Sequence, residues 1–378
     1  MIYLDNAATS RFKPKSVIDA LNFNVLNSAN SGRGSHSEAV RATLQIENCR
    51  NYLKLILGAD DSYEIIFTKS CTEALNLAIL GSIKQNEVVV TSQNEHNSVL
   101  RPLYLLQSQG KITLIVLEQD ENGKIPISAI EQCAKNADVF VFGGASNVTG
   151  STLDLYEVGK IAKQHNVRFI VDGAQCVPIV DVNVKKCDID MIACPAHKGL
   201  HAVQGVGFLL VKRDTDLQPL IYGGTGTSSQ DLLPPIQMPE SYEAGTMFTA
   251  GIAALREGAK WSVENIQKTR KNLVRLSNLT ISNLNYLNAH VYTKEVNCGI
   301  VSFNIFDLDS TLVADCLNEY GICVRAGLHC APLVHMSLGT TSQGAVRVSI
   351  GCDTTDKDIL VFSKAVERII EKYRAKSL

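Results

Sequence analysis

The sequence predicts an α/β protein in two parts, a large domain on a mainly parallel seven-stranded sheet and a smaller α+β domain after it. Three observations carry this. At 378 residues the chain is too long for one ordinary core. Its first two-thirds alternate short β-rich apolar runs with stretches of helical period. After a polar, Gly- and Pro-rich break between Tyr222 and Tyr242, that rhythm gives way to long helical stretches and a few short strands.

Seven runs mark the strands: "EIIFT" (64–68), "EVVVTS" (87–92), "KITLIVL" (111–117), "DVFVFGG" (138–144), "VRFIVD" (167–172), "DIDMIAC" (188–194) and "VGFLLVK" (206–212). Continuously apolar strands are buried on both faces, which suits a parallel sheet between helices. Such sheets bind ligands beyond the carboxyl ends of their strands. Among the helices, Ser37 is expected to cap "SEAVRATLQIENCRNYLKLIL" and Gly58 to end it, while "LDLYEVGKIAKQHN" stops at Asn166. The break "GGTGTSSQDLLPPIQMPES" reads as an exposed hook. Beyond it come a helical stretch from "AGIAALREG", strands "GIVSFNIF", "ICV" and "AVRVSIG", the helix "STLVADCLNEYG", and a closing helix from Asp356 that Thr355 can cap.

A net charge of −2 and a charged share of 20% give no basic surface for nucleic acid or an anionic membrane. The opening "MIYLDNAATS" lacks the pattern of a signal peptide, and no apolar run is long enough to span a bilayer, so a cytoplasmic location is expected. Eleven cysteines without a C-x-x-C pair suggest reduced thiols and no metal site.

The residues just past the strands form a chemical set. Lys198 in "PAHKGL" and Asp172 ending "VRFIVDGAQ" follow neighbouring strands. Alone, each would be a solvated lysine and a turn aspartate. Together they meet the needs of pyridoxal phosphate: an amine to form an imine with its aldehyde, and a carboxylate to keep its pyridine nitrogen protonated. In "FTKSCTEALNL", Ser70 and Glu73 form a capping box, so the backbone N–H groups of Cys71 and Thr72 can face a phosphate. His96 in "QNEHNSV" can lie on the ring, and Asn147 in "ASNVTG" reaches the same edge.

The ordered set "YLDNAAT", "SCTEALNL", "NEH", "SNVTG", "VDGAQ", "HKG", "YEAGT" and "VRAGLHCAP" resembles the cysteine desulfurases of the class V aminotransferase fold, over essentially the whole chain. "RxGxHCA" with a short loop is similar to their second group, whose relatives include selenocysteine lyases. The resemblance implies fold type I of the pyridoxal phosphate enzymes, aspartate aminotransferase-like. It implies an N-terminal segment (1–14) near the site and the small domain, a large cofactor-binding domain (15–248) and a small C-terminal domain (249–378) carrying the cysteine loop. Lys198 would bear the cofactor, His96 stack on it, Asp172 bind its nitrogen and Gln175 its phenolate oxygen. Thr72 and His197 would bind the phosphate with Thr246 from the partner subunit of a homodimer. Asn147 and Arg347 would hold the substrate carboxylate, a bidentate task suited to guanidinium, and Arg325 would lie near the reacting sulfur. Many relatives carry a hydroxyl donor three residues before the lysine. Pro195 stands there in this chain and offers neither hydroxyl nor N–H.

A free cysteine is ordinarily a small core residue. Given a pyridoxal site, Cys330 becomes the expected nucleophile, on a loop between Gly327 and Pro332 with Arg325 and His329 to supply positive charge. The expected reaction takes L-cysteine to L-alanine and leaves a persulfide on Cys330 for an acceptor protein. The same residues would serve a selenocysteine lyase acting on L-selenocysteine. An aminotransferase of another amino acid would not need Cys330, and a silent sulfur carrier or assembly partner would not need Lys198.

Overall fold

The computed structural model describes residues 1–31, 34–226 and 230–374. Its elements in chain order are β1 (Ile2–Tyr3), α1 (Lys15–Leu26), α2 (Ser37–Ile56), β2 (Tyr63–Thr68), α3 (Cys71–Ser82), β3 (Glu87–Ser92), α4 (Asn97–Ser108), β4 (Ile112–Leu117), α5 (Ile127–Ala134), β5 (Val139–Gly143), α6 (Leu155–His165), β6 (Arg168–Asp172), β7 (Met191–Pro195) and β8 (Gly207–Lys212). There follow α7 (Thr249–Glu264), α8 (Ile266–Tyr286), β9 (His290–Val291), β10 (Ile300–Asn304), α9 (Ser310–Glu319), β11 (Ile322–Cys323), α10 (Pro332–Ser337), β12 (Val346–Ser349) and α11 (Asp356–Arg374).

The seven expected strands form one sheet in the order β2-β8-β7-β6-β5-β3-β4. Only β8 runs against the others, pairing antiparallel with both β2 and β7. Alternation along each strand fills two cores. Phe140, Phe142, Phe169 and Phe208 pack on one face, and Val139, Val141, Ile170 and Leu209 on the other. At the end that matters for ligands, β8 presses on the turn into α3. A Cβ on Gly207 would fall 2.5 Å from the carbonyl carbon of Ser70 and 2.7 Å from the nitrogen of Cys71, so only glycine fits this approach.

The small domain packs α8, α9 and α11 around the antiparallel sheet β12-β10-β9, with Leu276, Val301, Phe303 and Phe362 in its core. The strand expected in "ICV" does not join that sheet: β11 pairs in parallel with β1 and ties the chain start to the small domain. The helical stretch after the hook is two helices. α7 lies within 249–378 but packs on the large domain, where Ile252, Leu255 and Ala259 enter the main core.

Most helix ends follow the sequence signals. Gly58 (φ +67°) and Asn166 (φ 56°) are left-handed, and Thr355 caps α11 reciprocally with Asp358. The start of α2 differs, because Ser37 is already helical and His36 is the cap, its Nδ1 accepting the Ala39 N–H at 3.3 Å. A ring nitrogen does here what a short side-chain oxygen usually does. No helix among the described residues is long and apolar enough to cross a membrane.

Candidate active site

Four parallel strands and α3 converge on one pole. Ser70 caps α3 by accepting the Glu73 N–H at 3.1 Å, while Glu73 accepts the N–H of Lys69 at 2.9 Å. The first-turn N–H groups of Cys71 and Thr72 therefore face out of the helix with its positive dipole end. Asp172 ends β6, is 7% exposed, and accepts the Ala174 N–H at 2.9 Å on the oxygen that lies 3.7 Å from Cys71 Sγ. Lys198 follows β7, and burial pulls its amine below the ordinary lysine range, with Asp172 opposing. His96 caps α4: its Nδ1 accepts the Ser98 N–H at 3.0 Å, so the neutral ring carries its proton on Nε2. Burial also lowers the pKa of His96.

The N-terminal segment straps this pole from behind. Gln175 donates to Ala7 O at 3.0 Å, and Ser10 donates through N–H and hydroxyl to His197 O at 2.9 and 3.0 Å. The ring Nδ1 of His197 is buried without a partner among the described residues, and burial pushes its pKa down to about 4. Two further groups carry no signal in the sequence. Lys13 donates to Ser10 O and Oγ, each at 2.7 Å, and burial pushes it down to about 8. Glu95 is 1% exposed between the Ser92 hydroxyl (2.6 Å) and the Gly143 N–H (2.7 Å), and burial pushes it up to about 8.

The second pole comes from the small domain. Arg347 of β12 is 2% exposed, and its guanidinium donates to Asn147 O and to Asp5 Oδ1, both at 3.0 Å. Arg325 reaches the other oxygen of Asp5 at 3.3 Å. Arg347 Nε is buried with no partner among the described residues, as is Asn147 Oδ1. Asp5, in the "YLDNAAT" that opens the chain, is thus the counter-ion of both arginines, a role the sequence did not single out.

All eleven cysteines are free, and Cys330 alone is exposed. Its loop crosses to the large domain, where Asn97 N–H donates to Cys330 O at 2.7 Å and Asn147 Nδ2 to His329 O at 2.7 Å. Ala331 and Val334 bury an apolar seat against Val148. One expectation is corrected. His329 supplies no positive charge, because it is buried, its Nε2 donates to Ala345 O at 3.0 Å, and burial pushes its pKa down to about 2. Positive charge at this pole comes from Arg325 and Arg347.

Thr246 is not among these residues. It lines a separate cavity of about 470 Å³ with Thr43, Arg50 and Glu243. Glu243 of "YEAGT" is gripped by both terminal nitrogens of Arg50 at 3.1 Å and accepts the Phe67 N–H at 2.7 Å. Among the described residues no group of His, Cys, Asp or Glu is arranged to hold a metal ion.

The buried imidazoles predict a pH dependence. His335 is fully buried and pushed down to about 4 by burial, whereas unfolded histidine titrates near about 6.5. With a folded pKa below the unfolded one, its stability contribution is present above pH 6.5 and lost as pH falls toward 4. Between pH 7 and 5 the loss is about 1–2 kcal/mol. Urea unfolding of wild type and His335→Gln at both pH values should show the shallower dependence in the variant. Glu95 acts in the opposite sense but is common to both proteins, so equal slopes would refute a buried neutral His335.

The class-V aminotransferase family model matches residues 2–362. A probable cysteine desulfurase of Pyrococcus abyssi is 32% identical over 99% of this chain and 96% of its own length. Another, from Methanothermobacter thermautotrophicus, is 33% identical over 97% and 94%. The apo structure of the cysteine desulfurase of Thermococcus onnurineus superposes with a TM-score of 0.90 at 32% identity, covering 98% of this chain and 95% of that one. The architecture is that of fold type I pyridoxal phosphate enzymes, and the chain belongs to the class-V aminotransferase family.

Proposed function

We propose that the protein is a pyridoxal phosphate-dependent cysteine desulfurase that converts L-cysteine to L-alanine and takes the sulfur onto Cys330 as a persulfide. The observation that carries this is the 2.7 Å hydrogen bond from Asn97 N–H to Cys330 O, which anchors the backbone of the one exposed cysteine to the residue that follows His96. The donor set fits the cofactor: an amine at Lys198 whose pKa desolvation lowers, a buried carboxylate at Asp172, and a helix N-terminus with the Thr72 hydroxyl. The cofactor supplies, when bound, an electron sink for a carbanion at the substrate α-carbon.

Lys198 moves the α-proton, and its lowered pKa raises the share of neutral amine able to do so. Arg347, through its unpartnered Nε, and Asn147 hold the substrate carboxylate. The Cys330 thiolate then attacks the substrate sulfur. An S–S bond forms from the thiolate's electron pair, the Cβ–S bond breaks, and its pair stays with carbon, which is protonated as alanine forms. The persulfide lies on an exposed loop, open to an acceptor protein.

Cys330→Ser is expected to keep the cofactor's absorption band and to lose alanine formation from cysteine by about 10²-fold or more, a direct thiol role being essential to C–S cleavage. Release of selenide from selenocysteine should survive in part. A variant that desulfurates cysteine at the wild-type rate would return Cys330 to the structural thiols.

The reading includes a homodimer with shared sites. Support comes from Thr246, which opens onto a cavity apart from Lys198, and from the exposed Leu232, Leu233 and Ile236 on the preceding loop. In the dimer Thr246 would reach the partner subunit's phosphate. Lys198→Ala and Thr246→Asp are each expected to be inactive, and refolding them together should restore activity, since one of the two mixed sites escapes both lesions. A mixture that stays inactive would place Thr246 in its own chain's site.

A further inference from the structure

Thr72, Ser98 and His96 form one hydrogen-bonded row. Ser98 Oγ lies 2.8 Å from Thr72 Oγ1 and 3.0 Å from His96 Nδ1, and the Ser98 N–H donates to the same Nδ1 at 3.0 Å. Ser98 is 8% exposed in the first turn of α4. We propose that Ser98 is a positioning residue for the reaction, its hydroxyl orienting the phosphate-facing Thr72 and the ring-facing His96 at once. This rests on reading the strand ends as a pyridoxal phosphate site.

A serine hydroxyl has one proton and two lone pairs, so the row has two settings. In one, Ser98 O–H turns to His96 Nδ1 and accepts the Thr72 proton. In the other, Ser98 O–H donates to Thr72 Oγ1 and leaves the Thr72 proton free to point at an anion. A phosphate at the start of α3 selects the second setting. Nδ1 keeps the Ser98 N–H in both, so neutral His96 stays protonated on Nε2, but the second setting removes a competing donor from Nδ1. The Thr72 hydroxyl carries added weight because Pro195 at the end of β7 supplies neither a hydroxyl nor an N–H. The charges that act on His96 are Asp172, Lys198, Arg347 and Arg101, none of which Ser98→Ala alters.

The test uses the apoenzyme with ¹⁵N-labelled histidine. Titration of His96 is followed by NMR with and without inorganic phosphate, and pyridoxal phosphate uptake by absorbance. Ser98→Ala is expected to bind pyridoxal phosphate about 3- to 10-fold more weakly, the range for one lost hydrogen bond. It should also remove most of the phosphate-induced change at His96, and Ser98→Thr should restore both. Wild-type affinity in Ser98→Ala, or a wild-type phosphate response at His96, would overturn the proposal, because a single hydroxyl must serve both partners. The NMR readout needs no cofactor, so it still decides the role of Ser98 if the wild type fails to take up pyridoxal phosphate, a failure that would sink the cofactor reading.

Discussion

Two hydrogen bonds between domains, from Asn97 N–H to Cys330 O and from Asn147 Nδ2 to His329 O, fix where the exposed thiol stands. They hold a backbone that a free loop would not keep. His329 (φ 49°) and Cys330 (φ 57°) are consecutive non-glycine residues in the left-handed region, at about 1–3 kcal/mol each. One buried hydrogen bond contributes about 1 kcal/mol, so neither alone offsets that cost. The pair does so together with His329 Nε2 to Ala345 O and the apolar seat of Ala331 and Val334 on Val148. Gly327 (φ +97°) lets the chain turn into the loop. The neutral His329 is thus a structural member, and its corrected charge state follows from the same contacts.

The opposite constraint is electrostatic. Arg347 is nearly fully buried, and a buried guanidinium without a counter-ion would be strongly destabilising. Asp5 meets this need from the first residues of the chain, which are strapped to both domains through β1 on β11, Ala7 O under Gln175, and Ser10 on His197 O. Because Asp5 uses one terminal nitrogen of Arg347 and Asn147 O the other, Nε is left for a ligand. The proposed substrate pocket therefore depends on a segment that contributes two residues of strand and no helix.

Much of this was legible in the sequence because it depends on local pattern. The seven strand runs, the Ser70 cap, the left-handed Asn166 and the Lys198 and Asp172 strand ends each follow from periodicity or from a few adjacent residues. What escaped is what only tertiary contact decides. "ICV" looks like any short strand, and its pairing with β1 is non-local. His36 capping α2 turns on a ring orientation that no propensity encodes. Asp5, Lys13, Glu95 and Ser98 are ordinary polar residues in sequence, and become notable only when folding sets them beside Arg347, Ser10, Gly143 and His96. His329 belongs with them: proximity along the chain suggests charge, and burial removes it.

The central claim is that Cys330, held by the large domain, receives the substrate sulfur. Its most direct test is a single turnover of the cofactor-loaded protein with one equivalent of L-cysteine, quenched by alkylation under non-reducing conditions and read by peptide mass spectrometry. The account predicts one added sulfur, about 32 Da, on the peptide that contains Cys330, matching the alanine formed. Alanine formation with the added sulfur on another cysteine, or on none, would contradict it.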